Sequence, residues 1–239
     1  MYTFLTFIVF LATSAIYYNL PFYYTDNLEI ILSVITFLLA VLTGFFFARQ
    51  SARYTALREE TAKFDAAMNN IYRQLAHSDP KAEKAMKKII RNHYHPVLRY
   101  KWDQYINYRS TTLISINDLI DKISKKQTLT GIRYLGVQYA FVSLSNAQIA
   151  RKKMVALAQE KIPVFQWFVI FILILMLIFS LSGLPSQYLL FESVFKGAFV
   201  SALLAIIFLL YRFDRLELYG YSVGESSARD LLAIIEDKL

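Results

Sequence analysis

At 239 residues, 56% hydrophobic and only 18% charged, the chain has too little polar surface for an ordinary soluble domain, in which about a quarter of residues are charged. It has no cysteine, which excludes disulfides, thiolate catalysis and thiolate metal sites. Its apolar residues gather in two blocks, 1–48 and 162–211, while nearly all of its charged residues lie elsewhere and the whole chain has a formal net charge of +8; with a mean hydropathy of +0.37, that segregation argues for a bilayer rather than a large aqueous core.

Residues 1–25 carry no charge, and the apolar stretch 3–20 ends at Pro21. With no basic start and no small-residue cleavage site, it reads as a retained helix rather than a signal peptide. Residues 21–27 then make a tight hairpin into a second uncharged stretch, 30–48. About 20 apolar residues at 1.5 Å each cross a hydrocarbon core. Along this second span Ser33, Thr36, Ala40, Thr43 and Gly44 make a weakly polar stripe, and Phe45, Phe46 and Phe47 close it before Arg49. Two readings stand. The stripe and rings, with Ser33, Thr36, Ala40, Thr43, Phe45, Phe46 and Phe47 lining a pore, describe a channel helix with a hydrophobic constriction. Alternatively, the hydroxyls bond their own backbone inside a packed bundle.

Residues 49–162 show helical periodicity and form an inserted helical domain. The second span runs on through Ala76, with Tyr54, Leu57, Thr61, Phe64, Met68, Ile71 and Leu75 on one face. Ser78, Asp79 and Pro80 stop that helix and start the next. A basic helix follows over 81–94, interrupted by Pro96. Another covers 102–126, with Ile106, Leu113, Ile116, Leu119, Ile120 and Ile123 as its apolar stripe. Residues 130–136, with two glycines, turn the chain, and 137–162 return it to the membrane at Pro163.

The basic helix carries Lys81, Lys84, Lys87, Lys88, Arg91, Arg99 and Lys101 against one acid, Glu83, with Tyr94, Tyr100, Trp102 and Tyr105 interleaved. Phosphate pairing by Lys84, Lys87, Lys88, Arg91, Arg99 and Lys101, with bases stacked on Tyr94 and Trp102, would suit a nucleotide or single-stranded oligonucleotide. The competing reading is a solvated face, or one held against anionic headgroups.

The second hairpin, 163–211, contains the uncharged run 164–183 and the run 189–211, whose Gly197, Ser201 and Ala205 form a small-residue packing seam. A tail, 212–239, completes an all-α integral membrane protein of four transmembrane helices with an inserted helical cytosolic domain. All Lys and Arg but Lys196 lie in 49–163 or 212–239. By the positive-inside rule these segments are cytosolic, so both termini are cytoplasmic and the protein is multi-pass in the cell inner membrane.

Chemistry is sparse. Neither G-x-S-x-G nor H-E-x-x-H occurs, and no Gly-rich phosphate loop is present. His93 and His95 are two apart, facing opposite sides of a helix. Asp118 and Asp121 sit among Lys122, Lys125 and Lys126, as on a solvated ion-pair helix. No mid-membrane acid, histidine or arginine argues for proton coupling. No enzyme, cofactor or metal is expected.

The layout of hairpin, helical insert, hairpin and tail resembles bestrophin anion channels, and more closely the bacterial family of bestrophin-like membrane proteins. The likeness rests on the run Arg49-Gln-Ser-Ala-Arg53-Tyr-Thr-Ala-Leu-Arg58-Glu59-Glu60 leaving the second span. It rests also on Phe213-Asp214-Arg215-Leu216-Glu217-Leu218-Tyr219-Gly220, an Asp-x-Pro-x-x-Gly-like turn lacking the proline, followed by an amphipathic 226–239. The resemblance implies a homo-oligomeric channel in membrane lipid whose second span lines the pore; symmetry that gives the stripe a partner suggests four or five subunits. Membrane effectors of small anti-phage defence systems, controlled by a nucleotide signal, are similar too. The runner-up is a non-conducting anchor or scaffold that recruits a partner protein or nucleic acid.

Overall fold

A computed structural model describes residues 2–19, 27–99, 111–125, 131–184, 189–216 and 225–236. Among them every regular element is an α-helix: α1 (Tyr2–Asn19), α2 (Leu28–Ser78), α3 (Pro80–Arg99), α4 (Thr112–Ser124), α5 (Ile132–Gln159), α6 (Val164–Ser182), α7 (Leu189–Asp214) and α8 (Glu225–Ile235). The hairpin links expected near 21–27 and 183–187 fall largely outside the described residues. The chain divides into an apolar unit, Met1–Ala52 with Lys161–Leu218, and a polar unit, Arg53–Glu160 with Tyr219–Leu239.

Among the described residues of the apolar unit, three helices are long and apolar enough to cross a membrane: the first part of α2, α6, and α7. The chain is an all-α membrane protein. α1 is an apolar 18-residue helix that packs along α7. Glycine makes that contact possible. A Cβ on Gly197 would lie 2.9 Å from the backbone nitrogen of Ser14, and Thr13 Oγ1 donates to the Gly197 carbonyl at 3.3 Å. Tyr17 reaches α6, donating to the Ile178 carbonyl at 3.2 Å. The core joins Tyr17 to Ile35, Leu39 and Phe46 of α2, Ile170, Ile174 and Leu177 of α6, and Val200 and Leu210 of α7. Lys196 donates to the Leu184 carbonyl at 3.0 Å, where α6 has ended.

In the polar unit α2 buries Leu57, Thr61, Phe64, Met68, Ile71 and Leu75, the face its periodicity predicts. α4 buries Ile116, Ile120 and Ile123 of its expected stripe, with Asp118 and Asp121 exposed. α3 packs on α4 and α8 and buries Ala82, Met86, Ile90 and Tyr94.

Two turn expectations are corrected. Pro96 lies inside α3, which continues to Arg99; near a helix end a proline forfeits one hydrogen bond without a long run of helix beyond it to disrupt. Of the two glycines expected to turn the chain, Gly131 does so at φ 58. Gly136 is instead within α5, where a Cβ would lie 3.1 Å from the Gln74 carbonyl. It serves a close helix contact, not a bend.

Candidate functional site

The expected pore residues separate by face. Ile35, Leu39, Thr43, Phe46 and Gln50 recur at steps of three or four and are buried, so this side of α2 belongs to the protomer's own core. Ser33, Ala40 and Gly44 lie on another side and are exposed, with Thr36 half-buried between the two. A Cβ at Gly44 would meet nothing within 4 Å. The hydroxyls are tied to their own helix, Ser33 to the Glu29 carbonyl at 2.8 Å and Thr43 to that of Leu39 at 2.6 Å. The three phenylalanines diverge as consecutive helical residues must: Phe45 is 61% exposed and Phe46 is 2% exposed. Phe47 is half-buried, edge-on to Phe213 at 5.0 Å between ring centres.

On α3, Lys84, Lys88, Arg91 and Arg99 are exposed. Lys87 is half-buried, paired with Glu83 at 3.1 Å and 5.9 Å from the Tyr72 ring centre. Arg91 faces Glu236, 3.6 Å away just past α8. Tyr94 does not join this surface. It is 2% exposed, edge-on to His93, and its hydroxyl donates to Asp65. Its place four residues after Ile90 puts it on the apolar stripe, and that spacing was readable. Lys101 and Trp102 lie outside the described residues.

The sequence reading missed three buried polar groups. Asp214 accepts the Ile162 N–H at 2.7 Å and the Gln50 amide at 3.3 Å, tying the middle of α2 and the end of α7 to the chain that leads into α6. Arg53, 4% exposed, donates to the carbonyls of Leu157 and Ala158 at 2.6 and 2.8 Å. It thereby satisfies carbonyls that the end of α5 leaves without helical partners. Both residues stand in the motifs quoted above, but only packing reveals what they hold.

Asp65, the third, is 5% exposed. Burial pushes its carboxyl up to about 6, offset by the nearby Ser227 and Tyr94 hydroxyls. Ser227 falls short of hydrogen-bond geometry, so the second carboxylate oxygen has no donor, and neither has the amide oxygen of Asn69 one turn on. His93 is buried between the rings of Phe64 and Tyr94, its Nδ1 2.9 Å from the Thr112 hydroxyl; burial, then the positive charge of Arg151, pushes it down to about 4. On the far side of α2 a cleft of about 330 Å³ opens against α5. Glu60 lies in it, 2.7 Å from Lys63 and 3.7 Å from Lys153. No group of three potential metal ligands occurs among the described residues.

Compared with known proteins, residues 4–216 match the family model described as the Bestrophin-like domain. No curated protein and no solved structure matches the chain.

Proposed function

The chain belongs to the bestrophin-like family, whose members are oligomeric membrane channels, and on that premise we propose that copies of it form an ion channel conducting along the exposed face of α2. Four or five copies assemble in the cell inner membrane. Each contributes four spans, α1, the first part of α2, α6 and α7, with the polar unit and both termini in the cytosol. The observation that carries this reading is the uncovered side of α2. Ser33, Ala40 and Gly44 are left open in a row with exposed Phe37 and Val41, while Ile35, Leu39 and Phe46 on the other side are buried. Small, weakly polar positions set among apolar ones suit a neighbouring copy or the wall of a narrow, partly hydrophobic path.

The conducted ion is an anion, drawn by the basic segments that flank the spans. Control comes through a polyanion, a nucleotide or short oligonucleotide, paired with Lys84, Lys88 and Arg91, whose side chains stand exposed on α3. In a defence setting such a signal would open the channel and depolarise the cell.

Purified protein in planar bilayers under a chloride gradient tests the reading. The expected result is a conductance whose reversal potential follows chloride. Oligomeric protein that passes no current above the lipid background, with or without added short oligonucleotide, would instead favour the non-conducting anchor.

A further inference from the structure

One end of the apolar unit carries the start of α6 and the finish of α7. Trp167, on the first turn of α6, meets Tyr211, on the last turn of α7, with ring centres 6.1 Å apart and planes at 71°. Arg215, one turn beyond, folds back so that its guanidinium lies 4.6 Å from the centre of the Tyr211 ring. The backbone fixes it there. Its N–H donates to the Tyr211 carbonyl at 3.1 Å, and that of Leu216 to Phe213 at 3.0 Å. Leu216 then stops the helix at φ 58. No carboxylate among the described residues pairs with Arg215.

The surroundings are apolar on one side and basic on the other. Val164, Phe165 and Phe168 stand 85%, 74% and 57% exposed on the first turns of α6, while Lys161 and Arg212 lie close by in sequence. A guanidinium stacked on a ring uses its face and keeps the N–H donors along its edge, the geometry that grips a phosphate with two hydrogen bonds. Tryptophan and tyrosine at the ends of membrane spans sit at headgroup level, which is also the level of lipid phosphates. We propose that Trp167, Tyr211 and Arg215 form a binding site for the phosphate of an anionic phospholipid such as phosphatidylglycerol, with the acyl chains along Phe168 and Phe171, both exposed on α6. The excess positive charge selects a headgroup of net negative charge over a zwitterionic one.

The chain has two tryptophans, so Trp102→Phe leaves Trp167 as the sole fluorescent reporter. That protein is placed in phosphatidylcholine vesicles containing either brominated phosphatidylglycerol or brominated phosphatidylcholine, and quenching is followed against mole fraction. Half-quenching is expected at about fivefold lower mole fraction of the anionic lipid, the selectivity one interfacial cation supplies. Arg215→Gln should bring the two lipids level, whereas Lys125→Gln, at an exposed position on the polar unit, should leave the preference intact. Equal quenching by both lipids before any change at Arg215, or a preference that survives Arg215→Gln, overturns the site. Excess glycerol 3-phosphate should not alter the preference; if it erases it, the pocket takes free phosphate and the lipid assignment falls. Should Arg215→Gln fail to fold, Arg215→Lys keeps the charge without the stacked fork and should lose at least half the preference. A full preference in that variant would mean general charge attraction and sink the proposal.

Discussion

Phe45, Phe46 and Phe47 show how much one residue's face decides. Phe46 is packed in the apolar core, so Phe46→Ala leaves a cavity and should cost roughly 3–5 kcal/mol, read as a lower melting temperature in detergent. Phe45 is exposed, and Phe47 is half-buried at the edge of that core. Alanine at one or the other should raise resting conductance, or make expression toxic, with much less loss of stability; if all three variants behave as Phe46→Ala does, the constriction is elsewhere. Asp65 and His93 make a second prediction at this scale. Asp65 is held at about 6 rather than 3.8, so the fold holds its proton more tightly than the unfolded chain. Its stability contribution is full below about pH 4 and is lost as pH rises through about 6. His93, at about 4 rather than 6.5, refuses a proton that the unfolded chain accepts, so its contribution is gained over nearly the same window. Each shift is on the order of 3 kcal/mol, and the two nearly cancel. Thermal melts between about pH 4 and pH 6.5 should therefore be almost flat for the unaltered protein, rise with pH for Asp65→Asn and fall with pH for His93→Gln.

At the scale of single helices, the stripes were legible and the partners were not. Leu57 through Leu75 on α2, and Ile116, Ile120 and Ile123 on α4, follow from spacing because a buried helix face repeats every three or four residues. Tyr94 was drawn to the wrong side by its basic neighbours, although Ala82, Met86 and Ile90 precede it at steps of four. Asp214 and Arg53 could not be read at all, since their partners Ile162, Leu157 and Ala158 lie 52, 104 and 105 residues away. For α3 this leaves Lys84, Lys88, Arg91 and Arg99 as the exposed cations of the proposed binding surface, and the first three share one face. Changing these three cations to Gln should weaken binding of short single-stranded oligonucleotides and flatten its dependence on salt, because fewer counterions are released. Fluorescence anisotropy at low and physiological salt measures both. Equal affinities would leave α3 a solvated face.

For the whole molecule, α5 presents Ile132, Leu135, Tyr139, Val142 and Ile149 exposed, with Asn146 between the last two. Steps of three and four sustained over 18 residues describe a coiled-coil seam, and a lone asparagine in such a seam fixes register and partner number. Exposed apolar rows of this length are uncommon on monomers. If copies meet through it, Tyr139→Glu with Val142→Glu should reduce the mass seen by light scattering from that of four or five chains to one. An unchanged mass would place the contacts between copies elsewhere.

The hydrogen bond from Thr13 to Gly197 joins residues 184 apart. A ribosome adding about 5–20 residues per second needs some 10–40 seconds to cover that distance. Throughout that interval α1 has been made and the groove that receives Ser14 has not. The apolar unit is therefore completed by its last long helix closing on its first. Any chain released before α7 is finished leaves α1 held only by Tyr17 against α6, and such fragments would be substrates for quality-control proteases rather than partly working proteins.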